Sequence, residues 1–416
     1  MEGSTVCGFE LIREAVNRES SELVLVEELK AQAKSLGFSR IGIAAANPSA
    51  HIDFYKYWID AGMQGEMQYL AREESVRRRS DIEETLPGAR SVIVVAHDYL
   101  TEDLDCSSGD AAMAVIARYA RGYDYHDIIK NKLLVLLEWL SQRVPGALEG
   151  RAYVDTGPIL ERDLAQQAGL GWFGKNTMLI DPSSGSFFFL GLLLIDLELS
   201  ADLPFVEDRC GSCRSCLDAC PTGALLGRAA VGAPVMDARR CIYYLTIEQR
   251  SAIPVEFRTA IGNRIYGCDI CQEVCPWNER FAESTGELAY RAREDLDGPL
   301  LVDLADTLLS TDEVGFRETF KKSAIKRAKR SGLLRNVCVA LGNWGAPVAV
   351  PTLLRALSDV EPLVRGHAAW ALGQIGSISA LSALSTKLVA EEDAWVRTEI
   401  SAALETQRAP RTEQES

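Results

Sequence analysis

Eight of the chain's eleven cysteines fall between Cys210 and Pro276, at spacings that suit metal chemistry. They run Cys210, Cys213, Cys216 and Cys220 followed by Pro221, then Cys241 alone, then Cys268, Cys271 and Cys275 followed by Pro276. The first run, C-x2-C-x2-C-x3-C-P, matches the pattern by which bacterial-type ferredoxins hold [4Fe-4S] clusters, with three thiolates on one cubane and the fourth crossing to a second. Two cubanes require eight thiolates. The second run has Ile265 where its leading cysteine is expected, so Cys241 must supply the missing ligand. The expected assignment is Cys210, Cys213, Cys216 and Cys275 on one cluster, with Cys220, Cys241, Cys268 and Cys271 on the other. A pair of zinc sites would also use eight sulfurs in C-x2-C steps, but it gives the two prolines no role. Disulfides are not expected, because no secretory signal precedes the chain and close C-x2-C steps suit a reducing compartment.

Three further stretches carry groups able to do chemistry. The run Tyr153 to Pro158 reads as a strand ending in a turn, which places Asp155 at a strand's C-terminal end, where α/β folds put their sites. A turn or cap aspartate is the alternative reading. Gly169 to Asn176 is a glycine-rich loop able to bring backbone close to a large ligand. Its G-x-G-x-x-G spacing follows a helix and precedes a strand, the reverse of the dinucleotide-binding context. Between Arg317 and Arg335 stand eight basic residues and one acid, in a chain whose net charge is −15. That run reads either as a solvated helix face or as a phosphate-backbone footprint.

These groups need a scaffold, and 416 residues with 47% hydrophobic and 25% charged content supply one of two to four domains. Residues 1–22 read as an extension in which Cys7 is a free thiol. Residues 23–200 alternate helix and strand and read as an α/β domain. A helix ends at Gly37, Ala89 to Ala96 is an apolar run of the kind that sits mid-sheet, and Ile128 to Arg143 is a second helix. Residues 201–285 form a ferredoxin-like unit. Residues 286–410 are helical, with Arg335–Gly342, Val364–Gly373 and Val396–Leu404 recurring roughly every 30 residues as HEAT-like helix pairs. Cys338, His367 and Trp370 are expected in that core. The fold class is therefore multidomain α+β: an α/β domain, a ferredoxin-like domain and a C-terminal α-solenoid. His97, Tyr99 and Cys106 have no assigned role. The longest apolar run, Phe187 to Ile195, is too short to span a membrane, and a cytoplasmic location is expected.

Taken together, Val154 to Pro158 leading to Gly169–Asn176, the cysteine pattern, and Ser331 to Asn336 opening a HEAT-like tail resemble the epoxyqueuosine reductases. The resemblance spans residues 25–400 and implies a cobalamin- and iron-sulfur-dependent enzyme that completes queuosine in tRNA bearing a GUN anticodon. It implies Asp155 as catalytic acid, with its pKa raised by partial burial. It implies cofactor contacts from Arg118, Tyr123 and His126 and from Gly169, Gly171, Trp172, Gly174, Lys175 and Asn176. The B12 signature Asp-x-His-x-x-Gly begins at Asp124 and His126, but Ile129 stands where glycine belongs, so His126 reads as a pocket residue; this agrees with the base-off cobalamin, without a protein cobalt ligand, that the resemblance implies. Lys321, Lys322, Lys326, Arg327, Lys329, Arg330 and Arg335 would grip the anticodon arm. An external donor such as flavodoxin or ferredoxin would supply electrons to a monomer. The runner-up is a reductive dehalogenase-like enzyme acting on a small molecule, which leaves the basic run and solenoid idle. A non-catalytic electron carrier would leave the N-terminal domain unexplained.

Overall fold

The computed structural model describes residues 22–102 and 109–408. The expectations for the N-terminal extension, Cys7 and Cys106 lie outside them. A four-stranded sheet organises the N-terminal region, in the order Arg40–Ala45, Ser91–Asp98, Phe188–Ile195, Gly150–Tyr153. The Ser91–Asp98 strand alternates its side chains between two apolar layers. Val92, Val94 and Ala96 meet Leu164, Ala165 and Leu192, whereas Ile93 and Val95 meet Leu29, Ala33, Ile129 and Leu133. Helices therefore cover both faces.

Every pairing in this sheet is antiparallel, which corrects the expectation of an α/β domain. Burial on both faces writes a continuous apolar strand whatever its direction, so the sequence signature of a covered sheet does not separate the two arrangements. Gly191 pairs with Val95 at the sheet's centre, and a Cβ there would meet Ile129 at 2.7 Å. Its absence lets the Tyr125–Ser141 helix lie close against the sheet, with its first turn at the sheet's end. His97 and Tyr99 are buried at that same end.

The tail follows the repeat reading. Lys329–Trp344, Pro362–Ile375 and Ala394–Arg408 stack side by side, with Val350–Ala356 and Ile378–Ala390 between them. The recurring small residues allow this approach: a Cβ at Gly342 would meet Trp370 at 2.7 Å, and one at Gly373 would meet Ala403 at 2.6 Å. Gly345 and Gly376 close two of the helices in the left-handed conformation that glycine adopts without penalty. Cys338, His367 and Trp370 are buried, as expected of core residues. His367 accepts from Ile253 N at 3.1 Å and donates to Leu363 O at 2.7 Å. One apolar core runs from Ala238 in the cysteine segment through Ala403 in the solenoid, so these two units fold against each other.

Candidate active site

Asp155 follows the Gly150–Tyr153 edge strand in a left-handed conformation, φ 56°. Aspartate tolerates that region better than most residues with a Cβ, yet the position still needs outside support. Two hydrogen bonds provide it. Tyr125 Oη donates to Asp155 Oδ2 at 2.8 Å, and Asp155 N donates to Glu161 Oε1 at 2.7 Å. The carboxylate itself is 63% exposed, so the partial burial expected of this acid is not supplied by the polypeptide. Glu161 is the half-buried carboxyl here. Burial and the neighbouring Asp155 charge push its pKa up to about 8, against opposing pulls from the Asp155 amide, Arg162 and Arg79.

Aromatic rings make the floor of this site. Tyr125 lies parallel to Phe189 with centroids 3.9 Å apart, and Tyr119 Oη donates to Tyr243 Oη at 3.1 Å. Burial holds the Tyr125 hydroxyl protonated well above its ordinary range, which keeps it a donor to Asp155. Tyr69, Tyr123 and Tyr243 remain exposed. His126 has its ring between two carboxylates, with Nδ1 2.6 Å from Asp124 Oδ1 and Nε2 3.9 Å from Asp155 Oδ2. Burial alone would raise the Asp124 carboxyl, but hydrogen bonds from His126 and Lys326 hold it well below the carboxylate range. Arg118 N donates to Asp269 Oδ2 at 2.7 Å, tying the segment to the loop between Cys268 and Cys271.

The cysteine thiols lie close enough for their charges to act on one another. Burial raises the Cys216 thiol to about 11, and Cys210, Cys275 and Cys213 add to the rise. Burial likewise raises Cys268 to about 12 and also raises Cys241, with Cys241 acting on Cys268 and Cys220 acting on Cys241. Cys271 is raised by burial and then by Cys241 and Cys268. Cys241 thus feels the charge of Cys220, and its own charge is felt by Cys268 and Cys271, the last also by Cys216. Among the described residues no group of three or more His, Cys, Asp or Glu side chains is arranged around a single metal-ion position.

The glycine-rich segment packs closely against the cysteine region. Sequence reading aimed Gly169, Gly171, Trp172, Gly174, Lys175 and Asn176 at a cofactor, but their close approaches are to the protein itself. A Cβ at Gly169 would meet Leu203 O, at Gly171 Ile180 O, and at Gly174 Asn176 and Ile180. Trp172 is buried against Cys275, Cys210 and Trp277. Lys175 Nζ donates to Gly211 O at 2.6 Å and Cys213 O at 2.8 Å, and Asn176 Nδ2 donates to Cys271 O at 3.2 Å. The segment clasps the cysteine loops.

The basic run divides in two. Lys321, Lys322, Lys326, Arg327 and Lys329 are exposed. Lys326 Nζ lies 2.9 Å from Asp124 Oδ2, and Arg327 bonds Glu248 at 3.0 and 2.8 Å. Arg330 and Arg335 are corrections, because neither can reach a phosphate. Arg330 is buried, donating to Leu308 O and Thr311 O and pairing with Asp359 at 2.6 Å. Arg335 is 0% exposed and spends its guanidinium on the carbonyls of Leu245, Gln249 and Ser251 and on Asn336 Oδ1. A charge count along the sequence cannot distinguish a surface lysine from an arginine folded inward to satisfy carbonyls.

Residues 209–278 match the family model for a 4Fe-4S double cluster binding domain, and residues 323–405 match HEAT repeats. Residues 79–156 match the model described as epoxyqueuosine reductase QueG, DUF1730. The epoxyqueuosine reductase of Vibrio cholerae is 43% identical over 351 residues, 84% of this chain and 91% of the relative. The chain belongs to the epoxyqueuosine reductase family. The Escherichia coli epoxyqueuosine reductase is 41% identical over 352 residues, 84% of this chain and 89% of its own. A solved epoxyqueuosine reductase with a tRNA-Tyr epoxyqueuosine-modified stem loop aligns at TM-score 0.84 and 32% identity, covering 93% of this chain and 100% of that one. The epoxyqueuosine reductase of Bacillus subtilis, described with its catalytic loop swung out of the active site, aligns at TM-score 0.81 and 31% identity, covering 92% and 99%. Reductive dehalogenases align at TM-scores of 0.38 and 0.39, too low to carry an argument.

Tyr119 and Tyr125 belong to the aromatic segment 118–126 that the resemblance directs at the cofactor, whereas Glu161 and Tyr243 join the site without any sequence signal. Glu161 reads as an ordinary first-turn acid of the Glu161–Gln167 helix. Only its position opposite the Asp155 turn marks it.

Proposed function

We propose that this chain reduces epoxyqueuosine to queuosine at the wobble position of tRNA, with Asp155 protonating the departing oxygen. Epoxide, two electrons and two protons give alkene and water, so the reaction needs a reductant and a proton donor beside it. The observation that carries the reading is Asp155, held by main chain and side chain over an aromatic floor beside the cysteine groups. Tyr125 orients its carboxylate, and Lys326 and Asp124 fix the imidazole of His126 alongside.

The two groups of four thiols fit two [4Fe-4S] clusters in donor type and number. The exposed rings of Tyr69 and Tyr243, both close enough to feel the Asp155 charge, fit the flat face of a corrinoid, with Tyr123, Arg118 and His126 toward its edge. Nδ1 of His126 is held by Asp124 and Nε2 lies 3.9 Å from Asp155 Oδ2; the reading of base-off cobalamin without a protein ligand rests on the family resemblance and on Ile129 standing where the B12 signature has glycine. When bound, cobalamin and the clusters supply the two electrons at the substrate. Gly169 to Asn176 brace the cysteine loops from one side and remain available to the corrinoid from the other, as the family resemblance implies.

Exposed Lys321, Lys322, Lys326, Arg327 and Lys329 meet the phosphates of the anticodon arm, leaving a splayed wobble base free to enter. The substrate tRNA carries a GUN anticodon, a flavodoxin or ferredoxin supplies electrons, and the chain acts as a monomer in the cytoplasm. No helix among the described residues is long and apolar enough to cross a membrane.

The test is Asp155→Asn. It should retain iron, corrinoid and tRNA affinity while turnover falls about 100-fold or more. Full turnover would remove Asp155 from this role.

A further inference from the structure

The Asp155 turn has a left-handed residue at its centre and an exposed carboxylate at its tip. Such a turn persists only if its surroundings over-determine it. Tyr125 acts on the carboxylate, leaving the main chain to a different group. That group is Glu161, whose Oε1 accepts the Asp155 N–H at 2.7 Å from across the turn. Glu161 is itself anchored by a helix that packs into the core through Leu164 and Ala165. Arg79 Nη2 approaches Gly157 O of the same turn only at 3.5 Å, at the limit of a hydrogen bond.

We propose that Glu161 is the positioning residue for the catalytic acid: its carboxyl oxygen latches the Asp155 main chain, and release of this bond lets the 154–160 turn carry the acid away from the substrate. The inference rests on Asp155 being the acid. The latch needs an acceptor oxygen at the end of a side chain of this length and does not need a charge. Glutamine supplies the same acceptor, alanine supplies none, and aspartate withdraws it by one methylene.

The experiment compares Glu161→Ala, Glu161→Gln and Glu161→Asp in the full-length holoenzyme, with Asp155→Asn in parallel. One readout is kcat and KM for tRNA; the other is hydrogen exchange of the 154–160 segment, which needs no turnover. Glu161→Ala should lower kcat about ten-fold with KM little changed, and should speed exchange of the Asp155 amide about ten-fold, as expected when one hydrogen bond is removed. Glu161→Gln should recover most of both losses. If Glu161→Ala does not fold, Glu161→Asp should show the same pair of losses. Equal losses in Ala and Gln, or unchanged exchange in Ala and Asp, would overturn the latch. Full turnover in Asp155→Asn would instead overturn the assignment beneath it.

Discussion

Tyr125 meets Asp155 with a hydroxyl that burial keeps protonated, and its ring is pinned flat on Phe189. It therefore donates to a carboxylate at any working pH, and removing the hydroxyl leaves the ring stacking intact. Tyr125→Phe should lower kcat about ten-fold with unchanged stability, as steady-state kinetics and a thermal melt would show. Glu161 gives a pH signature of its own. Its folded pKa of about 8 lies above the ordinary 4.5, so between those values the folded protein holds a proton that the unfolded chain has released. The stability that goes with this neutral form is complete below 4.5 and is lost as pH rises through 8. Glutamine stays neutral throughout. The melting temperature of the wild-type protein should therefore fall relative to Glu161→Gln between about pH 5 and about pH 9, and a constant gap would contradict the burial of this carboxyl. At this scale the cysteines were legible because metal ligation fixes their spacing. Asp155 became legible through the family it resembles. Glu161 was not, because its role depends on a turn that folds six residues back toward it.

Elements decide what the basic run does. The Lys329–Trp344 helix turns Arg330 and Arg335 inward, where Arg335 satisfies three carbonyls of the 245–251 stretch. Arg335→Ala should destabilise the protein by about 3 kcal/mol or more in chemical denaturation, by leaving those carbonyls unpaired. Joint reversal of exposed Lys321, Lys322 and Lys329 to glutamate should leave stability alone and weaken tRNA binding. It should also reduce the log–log salt slope by about 2, at roughly 0.7 for each single-strand phosphate that a lysine no longer neutralises. A stable Arg335→Ala protein with a selective tRNA defect would reverse this assignment. Helix and strand positions were readable from periodicity, and the HEAT repeats from their small residues. The direction of the sheet strands was not, since helices on both faces impose the same apolar pattern on either arrangement. The loop of Gly169 to Asn176 was readable as close-packed but not for its partner, because glycine records a close approach and not what approaches.

Across the whole molecule, three units converge on one place. Arg118 ties the site to the cysteine segment through Asp269, and Lys326 ties it to the tail through Asp124. The buried Arg258–Glu399 pair, with both bonds at 2.7 Å, joins the last solenoid helix to the cysteine segment. The cysteine segment, the Asp155 turn and the exposed basic run are therefore held in one body. Replacing the displaced ligand, Cys241→Ala, should halve the iron from about eight to about four per chain and abolish turnover while tRNA still binds. Retention of all the iron would break the proposed sharing of thiolates. The most direct measurement of the central claim is nucleoside mass analysis of tRNA carrying epoxyqueuosine, incubated without oxygen with the reconstituted chain, cobalamin and a reductant. Conversion of epoxyqueuosine to queuosine, with loss of one oxygen atom, is predicted for the wild-type chain and not for Asp155→Asn. Epoxyqueuosine that persists in the presence of fully loaded wild-type protein would contradict it.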